Sequence, residues 1–327
     1  MSYLSFIDRV VELDMLIEMS VEGRYLPLYI YGPEGCGKTR LLLEFSKVLR
    51  DREDCVVIYI DALTISSIDS MIRGTSKHIT EILRSFVEGI AEPIGRFLAL
   101  ALDKFIKYIS KKLSLRNKHL VILVDDVALP IGIDKVSWYI KYLQTLNESI
   151  TQSYNVASTL IIATTSEGKS LNIVRRHSYI DVKLLWNLSK EASLELLKEL
   201  GVRDVKLWRV SGGNPRAMIE IVKDYKLNIN DWINKILSIR IEPTIHRIRT
   251  RGLIDELRDV CKDIDKLMNY PELEEILIDE NLVIYIKAPT IGHKPSRDPE
   301  LGIGNYYAWQ LPIYKDLITK HIEQHNE

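Results

Sequence analysis

The sequence predicts an α/β fold, a three-layer arrangement of helices on both faces of a mostly parallel sheet, continued by smaller helical and helix-and-hairpin segments. Three observations carry that expectation. Short apolar runs alternate with amphipathic stretches through about residue 187; a glycine-rich octapeptide separates the first run from a long amphipathic stretch; and a later unbroken apolar run ends in two aspartates.

The first run, Leu26 to Tyr31, reads as a short buried strand. Arg40 to Arg50 reads as an amphipathic helix with Leu41, Leu42, Phe45 and Val48 among its apolar positions. Between them stands Gly32-Pro33-Glu34-Gly35-Cys36-Gly37-Lys38-Thr39, the spacing of a P-loop. Its glycines let backbone N–H groups turn inward around a phosphate at the positive end of the helix dipole. Lys38 then reaches the β and γ phosphates, and the Thr39 hydroxyl ligates Mg²⁺. The octapeptide and the adjoining Arg40 are therefore the expected phosphate side of an ATP·Mg²⁺ site. A glycine-rich turn that merely carries Lys-Thr is the weaker explanation, because strand, loop and helix agree.

The run His119 to Val124 continues into Asp125-Asp126, the form of a Walker B strand. A carboxylate at the end of a central parallel strand lies beside a P-loop. There Asp125 is expected to hold the Mg²⁺ hydration shell, and Asp126 to orient and deprotonate the attacking water. Another apolar run, Thr159 to Thr164, ends in Thr165-Ser166-Glu167-Gly168. Thr165, or its neighbours Thr164 and Ser166, is either a sensor of the γ phosphate or part of a simple strand exit.

At 327 residues, 46% hydrophobic and 27% charged, the chain is long enough for two or three globular units and does not read as disordered. No apolar stretch is long and uncharged enough to span a bilayer, and no signal-peptide pattern opens the chain, so the expectation is a cytoplasmic protein without a membrane partner. Cys36, Cys55 and Cys261 are too few and too scattered for a disulfide framework or a zinc site. The thiol of Cys36, inside the phosphate loop, is a candidate point of sensitivity to alkylation.

Strands are expected at Leu26–Tyr31, Val56–Ile60, His119–Val124, Thr159–Thr164 and Ser178–Lys183, which makes residues 1–187 the core. A mainly helical stretch from about Ile65 to Lys112 carries one apolar stripe at Ile79, Ile82, Leu83, Phe86 and Ile90. After a break at Pro93 and Gly95 comes a second, at Leu98, Ala101, Leu102, Phe105 and Ile109. Helices at Lys190–Leu200, Pro215–Lys226 and Asp231–Ile239 would form a lid over residues 188–240. From 241 to 327 the pattern suits a winged helix, with an irregular helical cap bearing one hairpin as the alternative: helices at Pro243–Arg249, Leu253–Lys266 and Pro271–Asp279, then strands Leu282–Lys287 and Asn305–Leu311 around a glycine- and proline-rich wing.

Phe6-Ile7-Asp8-Arg9, the P-loop, Asp125-Asp126, Thr165, Arg175-Arg176 and Gly212-Gly213-Asn214-Pro215-Arg216 stand in the order seen in the archaeal ATPases of the STAND/AAA+ group, which this chain resembles. The resemblance implies a P-loop NTPase core, a helical lid and a C-terminal winged helix, and an ATPase activity. It also implies that Phe6, Ile7, Arg9 and Pro215 lie near the adenine, and that Arg216 senses the γ phosphate from the lid. Arg175 and Arg176 follow the strand ending at Thr164, where ring-forming ATPases place an arginine finger; acting in trans, either would require self-association. The chain departs from the family at Asp126, where many members carry Glu.

Net charge is -1, so the whole chain is not a basic nucleic-acid coat. Arg240, Arg247, Arg249 and Arg251, with Lys294 and Arg297 of the wing, favour duplex DNA as partner of an ATP-driven machine. Glu272, Glu274, Glu275 and Asp279 on the third helix favour the alternative, a nucleotide-controlled switch whose winged helix binds protein.

Overall fold

A computed structural model describes residues 4–63, 75–87, 100–166 and 168–324. The chain divides into two compact units. One comprises Arg9–Tyr31 and Lys38–Lys183; the other comprises the segment ending at Asp8, the loop Gly32–Gly37, and Leu184 onward.

The first unit is built on the expected strands: β1 (Leu28–Tyr31), β2 (Cys55–Asp61), β3 (His119–Asp125), β4 (Ser158–Thr165) and β5 (Asp181–Leu184), of which only the last residue falls in the second unit. They form a five-stranded sheet in the order β2-β3-β4-β1-β5. The β2–β3, β3–β4 and β1–β4 pairs are parallel. Every residue of β1 and β4 is buried, as a central parallel strand with helices on both faces requires. The covering helices are α1 (Val10–Glu22), α2 (Lys38–Leu49), α3 (Lys77–Val87), α4 (Leu102–Lys112), the single turn α5 (Ala128–Ile131), α6 (Val136–Tyr154) and α7 (Gly168–Val174). The two predicted apolar stripes behave as core where they are described. Ile79 and Leu83 of α3 and Leu102, Phe105 and Ile109 of α4 are buried, and Phe86 packs on Phe105 with ring centroids 5.3 Å apart. Ile90, Pro93, Gly95 and Leu98 lie outside the described residues, as does Glu167 after β4.

The second unit has its own apolar core, which runs from Ile7 and Leu188 to Ile322. Its helices are α8 (Lys190–Glu199), α9 (Lys206–Ser211), α10 (Pro215–Ile219), α11 (Ile229–Ile236), α12 (Glu242–Thr250), α13 (Ile254–Lys262) and α14 (Pro271–Asp279). The strands β6 (Val283–Tyr285) and β7 (Tyr307–Trp309) pair antiparallel after the three helices α12, α13 and α14, and α15 (Pro312–Gln324) follows them. Helical backbone runs unbroken from Ile229 to Thr250, through a π-turn at Leu237–Ile241 between α11 and α12. The wider turn falls just before Pro243, which has no N–H to offer the preceding turn. Two helices, α9 and α15, fall outside the sequence expectation, although Pro312 stands at a favoured first-turn position.

Candidate nucleotide-binding site

In the first unit, β3 delivers Asp125 to the end of an all-apolar run, where it is 2% exposed. Three hydroxyls converge on it. Thr164 donates to Oδ1 at 2.5 Å, Tyr59 donates to Oδ2 at 3.0 Å, and Thr39 hydrogen-bonds the same carboxylate. Burial pushes the Asp125 carboxyl above its ordinary range and the neighbouring Asp126 pushes it further, while the three hydroxyls hold it back. Asp126 bends away in a left-handed conformation, φ 49°, its N–H held by Thr164 Oγ1 at 2.9 Å and its Oδ1 by the Ser166 hydroxyl at 3.0 Å. The two carboxylates therefore have different surroundings.

Lys38 and Thr39 open α2, and Lys38 is 5% exposed. Arg40, next along, ion-pairs with Glu44 one turn further at 2.9 Å. Thr165 is buried and accepts a hydrogen bond from Ser170 at 3.2 Å. Of the three candidate sensor hydroxyls, it is Thr164 and Ser166 that reach the carboxylates. Tyr59 was legible only as an apolar strand residue. Arg9, left-handed at φ 69°, is buried and ion-paired with Glu12 at 2.9 Å. Arg175 and Arg176 are exposed just past α7.

The loop Gly32–Gly37 belongs to the second unit by its contacts. A Cβ on Gly32 would stand 2.0 Å from the Leu185 carbonyl oxygen, and one on Gly35 would stand 2.6 Å from Arg216 Cβ, so both positions require glycine. Gly35 is also left-handed, φ 81°. Pro33 and Cys36 are buried, the thiol of Cys36 lying 3.5 Å from the Leu185 carbonyl oxygen. Asn214 caps α10, accepting the Ala217 N–H at 3.1 Å, and turns its amide nitrogen to the Glu34 carbonyl at 2.8 Å. Pro215 opens that helix, and Arg216 ion-pairs with the Glu34 carboxylate at 2.8 Å. The same carboxylate pairs with Arg240 at 3.0 Å, and Gln310 accepts the Glu34 N–H at 2.9 Å. Nothing in the sequence marked Gln310 for this site, and Arg240 had been legible only as one of a basic cluster. Ile7 packs in the apolar core of this unit and Phe6 beside it is half-buried.

No cluster of three or more acidic, Cys or His side chains that could hold a metal occurs among the described residues. A Thr hydroxyl and one carboxylate are instead the sparse hard-oxygen set that suits Mg²⁺ bound jointly with phosphate oxygens.

Fold and site together define a P-loop NTPase with an α/β core. Residues 6–221 match the family described as an ATPase domain predominantly from Archaea, and the chain belongs to that family. An uncharacterized ATP-binding protein of Pyrococcus abyssi is 21% identical over 288 residues, covering 79% of this chain and 81% of that protein. One from Methanocaldococcus jannaschii is 22% identical over 326 residues, covering 84% and 83%. Among solved structures, Cdc6p from Pyrobaculum aerophilum aligns over 100% of this chain and 97% of its own, with 14% identity and a TM-score of 0.43. No helix among the described residues is long and apolar enough to cross a membrane.

Proposed function

We propose that this chain binds ATP with Mg²⁺, hydrolyses it, and uses the nucleotide state as a switch. The observation that carries this reading is Asp125, a desolvated carboxylate hydrogen-bonded to the P-loop Thr39. Buried negative charge of this kind is stabilised by a divalent cation, which Thr39 and Asp125 would hold together with substrate phosphates. Lys38 offsets charge on the β and γ phosphates, and Asp126 orients the attacking water. Phe6, Ile7, Arg9 and Pro215 are assigned to the adenine end, Arg216 to sensing the γ phosphate, and Arg175 or Arg176 to a finger supplied to a neighbouring copy. The division into a core (1–187), a lid (188–240) and a winged helix (241–327) is part of the same proposal.

Phosphate release and titration with a fluorescent ATP analogue test the core of it. Lys38→Ala should lower affinity at least tenfold or abolish turnover, and Asp126→Asn should keep ATP but hydrolyse it at least a hundredfold more slowly. Wild-type behaviour in both variants would rule the assignment out.

Two ion pairs support the switch over the DNA machine. Arg247 pairs with Glu280 at 2.9 Å and Arg251 with Glu272 at 2.9 Å, so carboxylates already neutralise part of the cluster that would meet phosphate. The names of the archaeal relatives support ATP as ligand and say nothing of a partner. The exposed Lys294 and Arg297 of the wing are what favours the DNA reading.

A further inference from the structure

The phosphate loop carries an acid, and every polar group of that acid is engaged within its unit. The Glu34 N–H goes to Gln310 Oε1 at 2.9 Å, its carbonyl accepts from Asn214 at 2.8 Å, Oε1 accepts from Arg216 at 2.8 Å, and Oε2 accepts from Arg240 at 3.0 Å. Gln310 and Arg240 are 276 and 206 residues away in sequence and belong to no nucleotide-binding motif. Gln310 is 3% exposed and follows β7 directly, at the entry to α15. Arg240 sits in the π-turn and spends its other terminal nitrogen on the Tyr314 hydroxyl at 3.1 Å.

We propose that Arg240 and Gln310 are positioning residues of the phosphate loop, acting on bound nucleotide through Glu34. The proposal rests on the reading that this loop binds ATP. A carboxylate in a loop that must receive a polyanion repels it unless cations neutralise it; Arg216 supplies one and Arg240 the second. Gln310 supplies the other half of the device. By taking the Glu34 N–H it fixes the orientation of the Pro33–Glu34 peptide, at the entry to the glycine-rich turn, so that the loop is shaped before phosphate arrives. By reciprocity, nucleotide in the loop tightens the grip of the π-turn and of the β7–α15 junction on Glu34.

The test is a double-mutant cycle in the full chain, read as affinity for a fluorescent ATP analogue with Mg²⁺ and as the rise in thermal midpoint that ATP produces. Arg240→Ala should weaken binding about two- to fivefold, the range of a partly exposed ion pair. Whatever Glu34→Gln does by itself, adding Arg240→Ala to it should cost no further affinity, because the charge to be neutralised is gone. Tyr314→Phe, which removes the other partner of Arg240, should leave affinity intact. Gln310→Met, similar in volume but without the acceptor, should weaken binding roughly fivefold or more. An equal loss from Arg240→Ala in both backgrounds, or no loss in either, overturns the proposal while leaving ATP binding in place. Failure of the wild type to bind the analogue removes the nucleotide reading itself and the proposal with it.

Discussion

The Thr164 hydroxyl donates to Asp125 Oδ1 at 2.5 Å across neighbouring strands, and Thr164 Oγ1 in turn accepts the N–H of Asp126 at 2.9 Å. One side chain of β4 thus orients the buried acid at the end of β3 and fixes the turn that presents the second. Thr165 points elsewhere, accepting from Ser170. Successive residues of a strand face opposite ways, so only one of two adjacent threonines can serve the carboxylates.

That difference predicts unequal consequences for two isosteric substitutions. Thr164→Val should slow phosphate release roughly 10- to 100-fold with modest change in ATP affinity, the scale expected when the partner orienting a metal-side carboxylate is lost. Thr165→Val should cost less than Thr164→Val. The reverse order in a steady-state assay would favour Thr165 as the sensor.

Asp125 predicts a pH dependence of stability in the nucleotide-free protein. Burial first, and Asp126 second, hold its carboxyl above the ordinary range, so folding disfavours its charged form. Its contribution is therefore least adverse when the group is protonated in both states. It worsens as pH rises from the ordinary carboxylate value of about 3.9 to the higher folded one, and stays adverse above that. Asp125→Asn should raise the thermal midpoint at neutral pH without nucleotide and Mg²⁺, since three hydroxyls can each donate or accept. The gain should vanish below about pH 4. Midpoints measured across pH for both proteins, showing no gain at neutrality, would count against the desolvation argument.

Gly35→Ala should destabilise the fold by roughly 1–3 kcal/mol, measured by urea unfolding. The left-handed φ of 81° strains any Cβ, and the new methyl would lie 2.6 Å from Arg216 Cβ, where α10 leaves no free end to swing away. Gly132, also left-handed at φ 88°, has nothing within 4 Å of the same construction, so Gly132→Ala should cost less.

The basic cluster of the C-terminal helices gives the test of partner. Charge reversal at Arg247 and Arg249 breaks the pair with Glu280 and, under the switch reading, alters turnover or self-association without any effect on DNA. Gel shift with random duplex at low salt should show negligible binding by wild type and variant alike. Tight wild-type binding with a steep salt slope that the variant flattens would restore the DNA reading.

What the sequence determined by itself is what contiguous residues encode. The P-loop, the apolar strand ending in two acids and the alternation of strand and helix are local patterns, and a strand buried on both faces announces itself by composition. Local signals gave the extent of the helix expected at Pro215–Lys226 to within two residues but not its form: it is α-helical to Ile219 and continues as a π-turn to Asp224. The tertiary structure decided the strand order β2-β3-β4-β1-β5, the hydrogen bond of Thr164 to Asp125, the recruitment of Tyr59 from an apolar strand, and the attachment of Glu34 to Arg240 and Gln310. These are pairings between side chains tens to hundreds of residues apart. No single segment records them, because hydrogen bonds and ion pairs depend on distances that exist only once the sheet and the second core have packed.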